Sequence, residues 1–129
     1  MKDNILISRC ILGIPCRYHG QKYRMGKRIG RPSLVARLQK RYNLIDICPE
    51  VDAGLTTPRP PTRIVRGRWI CEGKDVTAIF RRGAQLAVQA AIEHEAEKAY
   101  LLKLSPACDS NFGCAACALK KHGVTVISV

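Results

Sequence analysis

Three short apolar runs in this chain each lead into a cysteine, and that pattern limits the possible folds more than any other feature. Asn4-Ile5-Leu6-Ile7-Ser8-Arg9 runs into Cys10, Ile45-Asp46-Ile47 into Cys48, and Ala99 through Ala107 into Cys108. Short runs of this composition suit strands of a parallel sheet covered on both faces. A thiol beyond the end of each strand would then stand at one edge of the sheet.

The segments between the runs predict the crossovers. Pro32 to Tyr42 reads as a helix, with Leu34, Val35, Leu38 and Tyr42 on one face, Pro32 in its first turn and Asn43 to end it. The second strand follows over residues 44–47. Asp75 to Glu97 holds the longest helical pattern, carried by Phe80, Gly83, Ala84, Ala87 and Ala91, with Asp75 as the N-cap. The third strand is expected over 99–104, a short helix over 114–122 ended by Gly123, and a last strand over 124–127. Cys10 to Gly20 reads as a loop. From Pro49 to Arg68 there is no periodicity, and Thr57-Pro58-Arg59-Pro60-Pro61 is stiff because each proline restrains itself and its predecessor. Ile64 to Cys71 fits a hairpin arm around Gly67. The alternation predicts an α/β fold: a Rossmann-like parallel sheet of about four strands, helices on both faces, and a small arm or hairpin after the second strand. At 129 residues the chain is read as one domain, residues 1–129.

No apolar run approaches the roughly 20 residues that cross a bilayer. Met1-Lys2-Asp3-Asn4 leads straight into a strand-like run without a cleavage site, so the expected address is cytoplasmic. Seven cysteines, an odd number, argue in that compartment for metal binding or thiol chemistry over a disulfide framework. The net charge of +12 suits an anionic small substrate or a polyanion such as RNA, and equally a merely basic, solvated surface. Aromatic residues at 5% weaken the case for a single-strand stacking platform.

In an open parallel sheet, ligands bind outside the carboxyl ends of the strands, where strand order reverses. Cys10, Cys48 and Cys108, 38 and 60 residues apart, can therefore share one crevice. Three thiolates there would bind a soft metal or an iron–sulfur cluster and leave a coordination position open. The alternative is three cysteines packed as small hydrophobes. Glu50, two residues past Cys48, can serve as general acid or base, or as an ion-paired carboxylate. Ser105 can orient a substrate or cap a turn. The arginines of the stiff proline loop can hold a substrate or cover the sheet edge. Cys114-Ala115-Ala116-Cys117 has no second CxxC to pair with and is expected to be structural, with redox or auxiliary metal binding as the alternative; Cys16 and Cys71 are read as structural or incidental. His19, His94 and His122 have no ligand spacing.

The same residues carry a family resemblance. Ser8-Arg9-Cys10-Ile11-Leu12-Gly13-Ile14-Pro15-Cys16-Arg17-Tyr18, Cys48-Pro49-Glu50-Val51, Thr57-Pro58-Arg59-Pro60-Pro61, Gly73-Lys74-Asp75-Val76-Thr77 and Ser105-Pro106-Ala107-Cys108 occur in that order over most of the chain. Together they resemble the TudS-type thiouracil desulfidases. The resemblance implies a [4Fe-4S] cluster held by Cys10, Cys48 and Cys108, with its fourth iron free to take sulfur from a thiolated pyrimidine. It implies Glu50 and Ser105 as the catalytic pair. Arg17 and Arg59, with Arg63, would then suit a phosphate-bearing form of the substrate. The chain departs from the family at Asp109-Ser110, where glycine is usual, which would put a carboxylate beside the cluster. The alternative function is a non-catalytic metal- or cluster-binding module, or a basic RNA-binding α/β module.

Overall fold

Ile5, Leu6 and Ile7 are at most 1% exposed, so their strand is covered on both faces. The computed structural model describes residues 2–21, 23–24, 27–28 and 30–129. In chain order the elements are β1 (Asp3–Ser8), a 3₁₀ turn (Arg9–Leu12), β2 (Tyr23–Arg24), β3 (Lys27–Arg28), α1 (Pro32–Gln39), β4 (Tyr42–Ile47), α2 (Pro49–Asp52), β5 (Thr62–Val65), β6 (Arg68–Cys71), β7 (Lys74–Asp75), α3 (Thr77–Glu93), β8 (Lys98–Leu101), α4 (Cys114–Lys121) and β9 (Thr125–Ser128). The main sheet has the order β4-β1-β8-β9, with every pair parallel. The chain winds first to β4 and then back past β1 to β8 and β9, so the direction reverses at β1.

Successive side chains of β1 point to opposite faces. Leu6 joins a core with Phe80, Ala84, Ala87 and Ala91 of α3 and Ala115, Ala116 and Leu119 of α4. Ile5 and Ile7 join Leu34 and Leu38 of α1 on the other side. Helices thus cover both faces, as the alternation predicts. Gly83 sits where α3 crosses the start of α2: a Cβ there would lie 2.3 Å from the Pro49 carbonyl oxygen. Only glycine allows this approach, and it seats α2 directly behind Cys48.

β5 and β6 form the expected hairpin, turning through Arg66 and Gly67 at φ of 50° and 74°. Both residues in the left-handed region match a tight hairpin turn. β7 adds a third strand too short for any periodicity to reveal. Trp69 fastens the arm. Its ring stacks on Phe80 at 6.0 Å, its backbone N–H donates to Thr77 Oγ1 at 2.9 Å, and its Nε1 donates to the Pro106 carbonyl at 2.8 Å.

Several boundaries differ from the sequence reading. Tyr42 opens β4 opposite Asp3 instead of closing α1. α3 stops at Glu93, because Glu95 takes a φ of 52°. β8 stops at Leu101, three residues before Leu104 at φ 66°. Arg9–Leu12 is helical where a loop is expected, and Gly13 at φ 93° ends it. No helix among the described residues is long and apolar enough to cross a membrane.

Candidate active site

Cys10, Cys48 and Cys108 follow β1, β4 and β8, three neighbours in the sheet. Their loops open on a cavity of about 260 Å³, and Arg17, Glu50, Arg59 and Ser105 line the same cavity. It lies at the carboxyl edge of the sheet beside the strand where the order reverses, as expected for this class of fold. Each thiol is held by local structure. Cys10 is in the 3₁₀ turn directly after β1. Cys48 is the N-cap residue of α2, and its N–H donates to Asp52 Oδ2 at 3.1 Å. Cys108 ends a turn in which Ser105 Oγ accepts from the Ala107 and Cys108 N–H groups at 3.2 and 3.1 Å. Arg9 ties the first two turns together, pairing with Asp46 at 2.5 Å and Asp52 at 3.0 Å.

The thiols are buried and interact. Cys16 also enters the cavity, and its thiol hydrogen-bonds with those of Cys10 and Cys48. Its bond with Cys10 leads the causes that push its pKa up to about 11. The Cys48 thiol is pushed up chiefly by its bond with Cys16 and then by burial. Burial pushes the Cys108 thiol up to about 12, against hydrogen bonds from Ser8 and Ser105 that favour the thiolate. Such thiols stay protonated until a cation compensates them, so metal binding here releases protons.

Glu50 is the carboxylate of the cavity. Burial raises its pKa, while first Arg59 and then Arg17 oppose that rise. The Arg59 guanidinium lies 3.4 Å from Glu50 Oε1, with a side chain only 5% exposed. Its Nη2 donates to the Cys16 carbonyl at 3.1 Å, and its Nη1 to Thr56 O and Thr57 Oγ1 at 3.1 and 3.0 Å. Its Nε is buried with no hydrogen-bond partner among the described residues. A buried donor left unmade costs about 1–3 kcal/mol, so an acceptor reaching it would be bound favourably.

Some residues fall elsewhere than expected. Asp109 is buried but turned from the cavity. Its carboxylate accepts from the N–H groups of Leu104 at 2.6 Å and Asn111 at 2.8 Å. Burial would raise its pKa, yet these backbone bonds hold it below the usual value. It braces the loop that carries Ser105 and Cys108. Arg63 is exposed on β5 and does not line the cavity. Cys114 and Cys117, half-buried on the first turn of α4, line a separate groove with Trp69 and Phe112. Cys71 is half-buried on β6 near the Pro60 carbonyl. Three residues were missed by the sequence reading. Ser8 Oγ accepts from Leu102 N–H at 2.9 Å and bonds Cys108, and its signal was a polar residue closing a buried apolar run. Arg9, next to Cys10, carried no signal beyond its charge. Cys16 stood six residues past Cys10 on a glycine-bearing loop.

Thiols that converge in this way have the chemistry to hold an iron–sulfur cluster. Among the described residues, no three His, Cys, Asp or Glu side chains are placed to hold one metal ion. A cubane has no such requirement, because each thiolate binds a different iron.

Comparison with known proteins gives the family. The YbbK protein of Bacillus subtilis (strain 168), itself uncharacterized, is 30% identical over an alignment of 149 positions that takes in 96% of this chain and 94% of that one. A solved structure described as the [4Fe-4S]-dependent thiouracil desulfidase TudS superposes with a TM-score of 0.82 at 34% identity, covering 98% of this chain and 91% of that one. The family model for 2-thiouracil desulfurase matches residues 5–128. The family model spans nearly the whole chain and the folds agree, and the chain belongs to the 2-thiouracil desulfurase family.

Proposed function

We propose that this protein is a [4Fe-4S]-dependent desulfidase that removes sulfur from a thiolated pyrimidine, as free base, nucleoside or nucleotide. The observation that carries the reading is the meeting of Cys10, Cys48 and Cys108 with Glu50, Ser105, Arg17 and Arg59 around one cavity. The three strand-end thiolates hold the cluster. When bound, the cluster supplies a soft Lewis acid for the thiocarbonyl sulfur. Glu50 takes the proton of an attacking water and passes it on. Arg59 holds the Glu50 carboxylate in place and adds positive charge to the cavity wall. Arg17 adds positive charge on the same wall, which favours an anionic substrate. Ser105 keeps Cys108 oriented and presents its hydroxyl to the cavity.

The test is anaerobic reconstitution, followed by assay of uracil and sulfide released from 2-thiouracil. Release by the reconstituted protein, lost in Glu50→Gln with iron content unchanged, is the expected result. A fully iron-loaded protein that releases no sulfide from thiouracil, thiouridine or its phosphate would contradict the reading.

A further inference from the structure

A second pair of thiols lies outside the cavity, on the far side of the turn that carries Cys108. Cys114 and Cys117 stand three residues apart on the first turn of α4, so their side chains share one face of the helix. Ala115, Ala116 and Leu119, each 0% exposed, give the other side of α4 to the core. The two thiols open on a groove of about 540 Å³ between α3 and α4, beside Trp69 and Phe112. Arg81 and Lys121 bring positive charge to this groove, and no acidic side chain among the described residues lines it. The sulfurs lie within electrostatic reach of each other. Burial and then Cys117 raise the Cys114 pKa, and the Arg81 guanidinium opposes the rise. We propose that Cys114 and Cys117 form a redox-active dithiol site, which exchanges with a carboxylate-bearing low-molecular-weight disulfide and whose closure moves the turn that carries Cys108.

The dithiol works without a cluster and goes beyond the desulfidase reading. Helical residues three apart hold their Cβ atoms about 5–6 Å apart, and a disulfide needs about 3.5–4.5 Å. Closure therefore draws the two residues together by about 1–2 Å, and a bond strained in this way reopens readily. The Cys114 side of the turn has no slack to absorb the movement. A Cβ on Gly113, the residue before it, would lie 2.5 Å from the Ala107 carbonyl oxygen and 2.6 Å from the Asp109 nitrogen. The Cys114 N–H donates to Pro106 O at 3.2 Å, and the Ala115 and Ala116 N–H groups donate to Ala107 O at 2.9 and 3.2 Å. Ala107 and Cys108 are in turn the residues whose N–H groups bond Ser105 Oγ, so a shift of the α4 first turn reaches Cys108. The chemistry balances with the disulfide as oxidant. One cysteine thiolate attacks a sulfur of the disulfide and expels the first thiol. The other then attacks the mixed disulfide and expels the second. The two cysteines give up two protons and two electrons, which leave on the two thiols.

The test is anaerobic titration of the full chain, with and without a reconstituted cluster, against set ratios of oxidised to reduced glutathione. Trp69 is the single tryptophan of the chain and lines the same groove, so its fluorescence reports closure of the pair. The expected result is a fall in fluorescence that reduced glutathione reverses, with alkylation and peptide mass spectrometry placing the new disulfide at Cys114 and Cys117. Cys114→Ser and Cys117→Ser should each lose this response, and the variant that keeps the attacking thiol should carry one bound glutathione. Amide hydrogen exchange at Ala107 and Cys108 should be about tenfold faster in the closed form, as strain loosens the turn. Mapping of the wild type decides the matter even where a variant fails to fold. Cys114 and Cys117 remaining free thiols across the whole range overturns the proposal. A disulfide between them that reduced glutathione cannot reopen is a structural staple and also overturns it. Closure that leaves exchange at Ala107 and Cys108 unchanged overturns the link to the Cys108 turn.

Discussion

Gly83→Ala tests how the scaffold holds the site. In an unconstrained helix interior this change is favourable by about 1 kcal/mol, the difference in helix propensity. Here the new methyl carbon would lie 2.3 Å from the Pro49 carbonyl oxygen, 2.8 Å from its carbonyl carbon and 3.0 Å from its Cβ. Side-chain carbons essentially never come closer than 3.0 Å to such atoms, so Pro49 must retreat by about 0.7–1 Å from its packed position. Overpacking costs about 1–3 kcal/mol, and an obstacle made of backbone belongs at the upper end of that range. The net effect is a destabilisation of about 2 kcal/mol, or about 6–10 °C in Tm for a domain of this size. Pro49 lies between Cys48 and Glu50, so the retreat also moves the proposed ligand and the proposed proton carrier. A displacement of about 1 Å can cost about 100-fold in rate. Urea and thermal melts of the metal-free protein measure the first effect, and sulfide release by the reconstituted protein measures the second. A Gly83→Ala protein that is more stable than wild type would refute the claim that α3 seats the Cys48 loop.

The remaining predictions concern the supports of the site. Arg59→Lys keeps the charge but loses the planar fork that joins Glu50, the Cys16 carbonyl and the proline loop; turnover is expected to fall about 10–100-fold with iron content unchanged, and equal turnover would contradict that role. Trp69→Phe keeps an aromatic ring over Phe80 but removes the bond to the Pro106 carbonyl. It should cost about 0.5–1.5 kcal/mol in a denaturant melt, the net worth of one hydrogen bond, because the Pro106 carbonyl keeps the Cys114 N–H as a donor. Asp75 is held down at about 2 by its hydrogen bonds with Thr77 and then Arg68. Its folded value lies below its unfolded one, so its contribution is full above pH 3.8 and is lost as pH falls through about 2. The stability gap between wild type and Asp75→Asn should therefore close across that window, and a gap that widens on acidification refutes the assignment.

The parts of the fold that were legible in the sequence are those with a strong period or a sharp stop. Ile5-Leu6-Ile7 marked the central strand, and the alanines of α3 marked its packed face, because burial on both sides of a sheet leaves long apolar runs. The strand-end cysteines were legible for the same reason: the end of a strand fixes which edge a residue occupies. What escaped notice was short or depended on contacts distant in sequence. α2 is only Pro49–Asp52, and four residues have no period. Asp109 was read as facing the site, yet the N–H groups of Leu104 and Asn111 turn it away, and nothing local announces which backbone groups a loop leaves unpaired. Cys16 looked incidental because its partners are Cys10, in the preceding turn, and Cys48, 32 residues on. Arg59 was read as a substrate residue; its pairing with Glu50 and with the Cys16 carbonyl became visible only when the proline loop was placed against the sheet edge.

The position of the irons decides whether the three thiols hold the cluster. Crystals of the anaerobically reconstituted protein, with anomalous diffraction measured on both sides of the iron edge, locate them directly. The predicted result is a single compact group of irons at the carboxyl edge of the sheet, bonded to Cys10, Cys48 and Cys108, with Glu50 beside it. Iron held instead at Cys114 and Cys117, or bound away from the strand ends, would contradict the account.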